Sequence, residues 1–115
     1  MNIYKTFKLT YLKGFLCYFR KHNIIIPMAI QDIITKDVLM VGYSDIEGIY
    51  ISLESGYVIC YSRTKYCLWV KGETTGYIVG VYRICLDCDK DSVLIGSLIK
   101  GNTCHLGNYS CFCSE

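Results

Sequence analysis

Five consecutive residues, Asp87-Cys88-Asp89-Lys90-Asp91, set three carboxylates at alternate positions with a thiol between the first two. Downstream stand Cys104-His105 and Ser110-Cys111, which add two thiols and one of the chain's two histidines. Three oxygen anions on one face suit a hard cation such as Mg2+. Thiolates suit a softer ion such as Zn2+. In an extended segment Asp87, Asp89 and Asp91 share a face and Cys88 takes the other. Asp is a poor strand residue, so an acidic turn among scattered buried cysteines is the plainer reading. The thiol spacings match no familiar zinc finger.

A second stretch, Lys71-Gly72-Glu73-Thr74-Thr75-Gly76, has the makings of a phosphate and sugar site when combined with Ser62-Arg63. Glycines free backbone N–H groups, Thr hydroxyls donate, and Lys and Arg neutralise charge. It lacks the spacing of a Walker A loop, and an ordinary surface turn has the same composition. Cys85 and Cys88 form a C-x-x-C, but on a strand positions three apart face opposite ways, and no second such pair completes a four-thiol site. Cys111 and Cys113 share a strand face, so Cys113 is a spare ligand or a packing residue. His22 reads as a surface residue, whereas His105 follows a thiol in a polar loop.

A chain of 115 residues has room for one domain. Its hydrophobic content of 52% is ample for a packed core and argues against disorder. So short a chain leaves apolar area exposed, which favours an oligomer. Lys5, Lys8, Lys13, Arg20 and Lys21 give residues 1–23 a local charge of +5, and the remainder carries −3. The body is therefore no basic nucleic-acid surface. No run approaches the ~20 apolar residues of a membrane span. The eight cysteines have no secretory leader ahead of them, so reduced thiols in a cytoplasmic or organellar setting are expected, with cytoplasmic the reading taken.

The elements that must hold these groups read as mostly β. Residues 1–23, basic and aromatic at helical spacing, form a first element or an extension, with a targeting segment as the alternative. Residues 24–34 and 38–43 are apolar strands around a polar turn, a hairpin. Ser44 can cap a helix with Glu47 three residues on, Asp45 favours its positive end, and Gly56 ends it. Its inward face uses Ile46, Ile49, Tyr50 and Leu53, and Gly48 weakens it by about 1 kcal/mol relative to Ala. Further strands are expected at 57–61, 77–86, 92–99 and 109–113, with residues 77–86 the longest, and residues 67–69 form a short apolar stretch. The fold class is α+β, mostly antiparallel sheet with one principal helix.

Taken in order, Gln31-Asp32, Val38-Leu39-Met40, Ser62-Arg63, residues 68–76, Asp87-Cys88-Asp89-x-Asp91 and Cys104-His105-x4-Ser110-Cys111-Phe112 closely resemble the phosphoribosyl-AMP cyclohydrolases of histidine biosynthesis. The resemblance covers residues 24–113, so residues 24–115 are read as the cyclohydrolase domain. Thr75 stands where the family usually has Ser, and Cys60-Tyr61 and Ser44-Asp45 are further departures.

The resemblance implies hydrolysis of the N1–C6 bond in the adenine ring of phosphoribosyl-AMP. It implies an intertwined homodimer with zinc held by Cys88 of one subunit and Cys104 and Cys111 of the other, and Mg2+ held by Asp87, Asp89 and Asp91. It matches His105 to proton transfer, and Ser62, Arg63, Trp69, Lys71, Glu73, Thr74 and Thr75 to substrate-binding segments. Three protein ligands leave zinc one open position. Two other classes remain. A zinc nucleobase deaminase needs H-x-E and P-C-x-x-C, and neither histidine here precedes x-Glu. A non-enzymatic zinc-binding module would need a fourth ligand such as Cys113.

Overall fold

The computed structural model describes residues 25–73, 76–89, 91–99 and 101–112. The expectations for residues 1–23, Thr74, Thr75 and Cys113 fall outside the described residues.

The hairpin expected at the start is β1 (Ile26–Asp32) and β2 (Val38–Ser44), paired antiparallel. In β1 the inward side chains alternate with outward ones, as a half-buried strand requires. Pro27 is tolerated because the second neighbour of β1, the parallel strand β6 (Val93–Ser97), begins pairing only at Met28. Strand β5 (Arg83–Leu86) pairs antiparallel with β6, giving a four-stranded sheet in the order β2-β1-β6-β5. A separate ribbon pairs β3 (Ile59–Ser62) with β4 (Cys67–Val70). One helix, α1 (Ile46–Ser55), lies between β2 and β3 in the chain. Among the described residues, the α+β class with one helix and mostly antiparallel pairing is as expected from the sequence.

The helix cap differs from the expectation. Asp45 is the N-cap, accepting from the Gly48 N–H at 2.8 Å, and Ser44 is buried with its hydroxyl donating to the Ile59 carbonyl at 3.1 Å. Gly56 closes the helix at φ 81°, the left-handed conformation that glycine adopts without a side-chain clash. Ile46, Ile49 and Leu53 face the core as expected, and Tyr50 packs at its margin. Gly48 is needed rather than merely tolerated. A Cβ there would overlap Ser44 Oγ and come within 3.1 Å of Leu68 Cδ2, so the helix can lie this close to β2 and β4 only with glycine at that point.

The long strand expected over 77–86 is a partner switch. The Val58 N–H donates to the Val79 carbonyl and the Val81 N–H to the Gly56 carbonyl. One residue later the Tyr82 N–H donates to Gly96, and the chain joins the large sheet. Two different backbone partners split one apolar run, so only Arg83–Leu86 is regular strand. The strand expected at 109–113 is likewise absent among the described residues. Residues there dock on β2 by single bonds, from the Cys111 N–H to the Leu39 carbonyl and from Ser110 Oγ to the Val38 carbonyl. The core joins Met28, Ile30, Ile84 and Ile95 of the sheet to Ile49 and Leu53 of α1, with Val58 and Val79 between.

Candidate functional site

The three carboxylates converge, but by a turn rather than along a strand. Strand β5 ends at Leu86, and the chain folds back before β6. Asp87 Oδ1 accepts from the Asp91 N–H at 2.9 Å and the Ser92 N–H at 3.3 Å, a side-chain-closed turn of the kind Asp favours. One ligand oxygen each from Asp87, Asp89 and Asp91 then lies within 4.8 Å of the others, all exposed. Extension alone would have spread them along the strand. The hydrogen bond with the Asp91 carboxyl holds Asp87 below the usual carboxylate range. The same bond, with partial desolvation and the negative charges of Asp87 and Asp89, raises Asp91. Oxygen donors this close together fit a hard divalent cation.

The thiols divide. Cys104 is buried and Cys111 exposed, and the two side chains hydrogen-bond one another. The Leu106 N–H, 3.4 Å from Cys104 Sγ, does most to hold that thiol below its ordinary pKa, and Asn108 and Cys111 assist against the opposing effect of burial. Such a microenvironment favours the thiolate that metals require. Cys60 shows the opposite case: burial pushes it up to about 11, with Lys71 only partly opposing. Cys88 is exposed on the acidic turn. Among the described residues the three aspartates are the one group of three or more potential ligands, so Cys88 does not join Cys104 and Cys111 within one chain. All six described cysteines are free. The donor set on the loop, two touching thiols of which one is acidified, fits part of a zinc site.

His105 is exposed on that same loop. The loop is closed by the Cys104 N–H on the Asn108 carbonyl, the Gly107 N–H on Cys104, and Asn102 Nδ2 on Gly107. It is tied to the sheet by Tyr109 and Ser110. The Tyr109 hydroxyl donates to Asp32 Oδ2, and Ser110 Oγ donates to β2. No local pattern marks Tyr109 as a tether, because its partner lies 77 positions away.

The expected substrate-binding residues occupy the ribbon. Arg63 is exposed, with its guanidinium 3.9 Å from the Tyr43 ring centre. Lys71 is buried, with its ammonium 5.8 Å from the Trp69 ring centre. Among the described residues aromatic faces, not carboxylates, hold both cations. Ser62 Oγ accepts from the Lys65 N–H and shares a hydrogen bond with Thr64, which shapes the β3–β4 turn. Glu73 is exposed, and its N–H donates to Val70. Gly72 has φ 91°, and a Cβ there would overlap the Tyr77 carbonyl, so the backbone at Gly72 lies tightly against residue 77.

Fold and site together define a small α+β domain with an oxygen-donor cluster and a thiol pair at the ends of its strands. The family description for phosphoribosyl-AMP cyclohydrolase matches residues 40–113, and the chain belongs to that family. It is 47% identical over 88 residues to the phosphoribosyl-AMP cyclohydrolase of Archaeoglobus fulgidus, covering 76% of this chain and 82% of that protein. It is 49% identical over 95 residues to the histidine biosynthesis bifunctional protein HisIE of Buchnera aphidicola, covering 83% of this chain and 44% of that one. The bifunctional protein of Staphylococcus aureus strain COL is 46% identical over 91 residues, of which 79% of this chain and 43% of that protein take part. The chain thus spans less than half of the bifunctional relatives. No helix among the described residues is long and apolar enough to cross a membrane.

Proposed function

We propose that this chain hydrolyses the N1–C6 bond of the adenine ring of phosphoribosyl-AMP in histidine biosynthesis, as a metal-dependent cytoplasmic homodimer. The observation that carries the reading is the pairing, in a member of this family, of a carboxylate cluster with a thiol pair. Cys104 and Cys111 would hold zinc with Cys88 of a second copy, because among the described residues no third thiol of their own chain joins them. Asp87, Asp89 and Asp91 would hold Mg2+. When bound, zinc supplies Lewis-acid activation of the attacking water.

The chain's own residues do the rest. His105, exposed beside Cys104, can take a proton from the water and return it to the departing ring nitrogen. Arg63 and Lys71, held by aromatic rings and, among the described residues, not by a carboxylate, meet the substrate phosphates. Ser62, Trp69, Glu73, Thr74 and Thr75 complete the substrate-binding segments. Incubation of the zinc- and magnesium-loaded protein with phosphoribosyl-AMP tests this directly. The formamidine product should accumulate and should cease to form when a chelator is added. No product from fully loaded protein would end the reading.

A further inference from the structure

A cleft of about 380 Å³ lies between residues 76–80 and residues 98–103. That volume is within the range of small-molecule sites. One wall begins at Gly76, the last residue of the glycine loop, and the other ends at Thr103, the residue before Cys104. Tyr57 and Tyr77, each about half exposed, line it together with the backbones of Gly80 and Gly101. The Tyr77 ring packs so closely on Gly101 that a Cβ there would overlap it. Thr103 is 3% exposed, and its hydroxyl has no hydrogen-bond partner. A buried hydroxyl left unpaired is costly and calls for an explanation such as a bound water or ligand. Of the three buried unpaired polar groups among the described residues, Arg83 Nε, Ser97 Oγ and Thr103 Oγ1, only that of Thr103 belongs to a residue lining this cleft. A second hollow of about 330 Å³ follows the outer face of the large sheet beside Pro27, Val41 and Leu94, and no unpaired buried hydroxyl lines it.

We propose that the cleft between residues 76–80 and 98–103 receives the nucleotide half of the substrate, with an aromatic base against Tyr57 and Tyr77 and a ligand oxygen or nitrogen completing Thr103. This rests on the cyclohydrolase reading and adds to it the place where the purine lies. Rotation about the Thr103 side-chain bond exchanges its hydroxyl and methyl, which turns the donor toward an acceptor brought by the ligand. Tyrosine rings give a purine a stacking surface. The base would then sit next to the segment that leads into Cys104 and His105, so its reacting carbon is carried toward that loop.

The test uses AMP as the probe, with calorimetric binding measured on zinc-loaded protein. Thr103→Val keeps the side chain's shape and removes the hydroxyl. It should weaken AMP roughly 3- to 10-fold, the span expected for one neutral hydrogen bond. Gly80→Ala adds a Cβ whose nearest neighbour is the Gly56 carbonyl oxygen at 3.7 Å, so the fold accepts it while the cleft is narrowed. It should weaken AMP and raise the KM for phosphoribosyl-AMP, with zinc content and melting temperature unchanged. Wild-type AMP affinity in both folded variants would overturn the proposal. Failure of wild-type protein to turn over phosphoribosyl-AMP would instead sink the enzymatic reading, and the AMP affinities would still decide the cleft.

Discussion

The Tyr109 hydroxyl donates to Asp32 Oδ2 at 2.6 Å and lies 2.6 Å from Thr35 Oγ1, where it can only accept because its proton is already committed. This chain of bonds fastens the loop carrying Cys104, His105 and Cys111 to the end of β1. It lowers the Asp32 carboxyl, Tyr109 contributing most with the Ile34 and Thr35 N–H groups behind, and raises Tyr109. The two shifts act at opposite ends of the pH scale. Stability from Asp32 is present above the ordinary Asp value of about 3.9 and is lost as pH falls through its depressed folded value. Stability from Tyr109 is present below the ordinary Tyr value of about 10 and is lost as pH rises through its raised one. Tyr109→Phe should therefore lower the urea midpoint between those limits and flatten both the acid and the alkaline limbs. Urea melts of both proteins across pH 3 to 11 check it. Limbs as steep in the variant as in wild type would show that the bond contributes nothing.

Gly48 should resist the usual improvement. In an exposed helix Gly→Ala stabilises by about 1 kcal/mol. Here the added methyl would overlap Ser44 Oγ, which is itself committed to the Ile59 carbonyl, and press on Leu68. Gly48→Ala should destabilise by about 1–3 kcal/mol, as overpacking does. Denaturant titration gives the sign, and a gain in stability would mean that α1 can shift away from β2.

What could be read in the sequence was whatever local chemistry decides. The hairpin of β1 and β2 and the helix ending at Gly56 follow from alternation, turn residues and capping groups within a few positions. Ser44 has the residue type and spacing of an N-cap, but its hydroxyl has a better partner in β3, which no local pattern encodes, and Asp45 caps the helix instead. The break in the 77–86 run depends on Gly56 and Gly96 offering carbonyls to successive residues, a choice made by the fold. At the site, residue types disclosed the donors, but not how they meet. The aspartates gather through the turn that Asp87 itself closes, and Cys104 reaches Cys111 through a loop pinned by Tyr109.

The acidic cluster makes a cation prediction with a definite sign. Asp91 is raised by its bond to Asp87 and by the charges around it, so in the ion-free protein it holds its proton to higher pH than a lone carboxyl. A divalent ion needs all three groups ionised and must displace that proton. Mg2+ affinity should therefore fall as pH is lowered toward the carboxylate range, about 4. Calorimetry in buffers of different ionisation enthalpy should show proton release on binding. Asp91→Asn should weaken Mg2+ by about tenfold or more, at least what loss of a supporting partner costs at metal sites. PH-independent binding would place the ion elsewhere.

His105 and Cys104 are neighbours in sequence with separable roles. The histidine is exposed and the thiol buried and acidified. His105→Ala should lower kcat by roughly 10²–10⁴, the range for losing a positioned proton donor and acceptor. Zinc content by elemental analysis should stay near wild type. Loss of zinc from that variant would make His105 a ligand or a structural support.

Cys88 and Cys104 should be lethal to activity separately yet complement together. If each zinc is gripped by Cys88 of one subunit and Cys104 with Cys111 of the other, a symmetric dimer has two such sites. In a dimer of one Cys88→Ala and one Cys104→Ala subunit, both lesions fall in one site and the other keeps every thiol. With equal mixing and free exchange, half the dimers are mixed and each has one working site. About one quarter of wild-type activity should return. Differently tagged subunits, purified through both tags, verify that mixing occurred and supply the denominator. Zero activity in such doubly tagged dimers would mean that each chain assembles its own site, and Cys88 would then need a different role on the acidic turn.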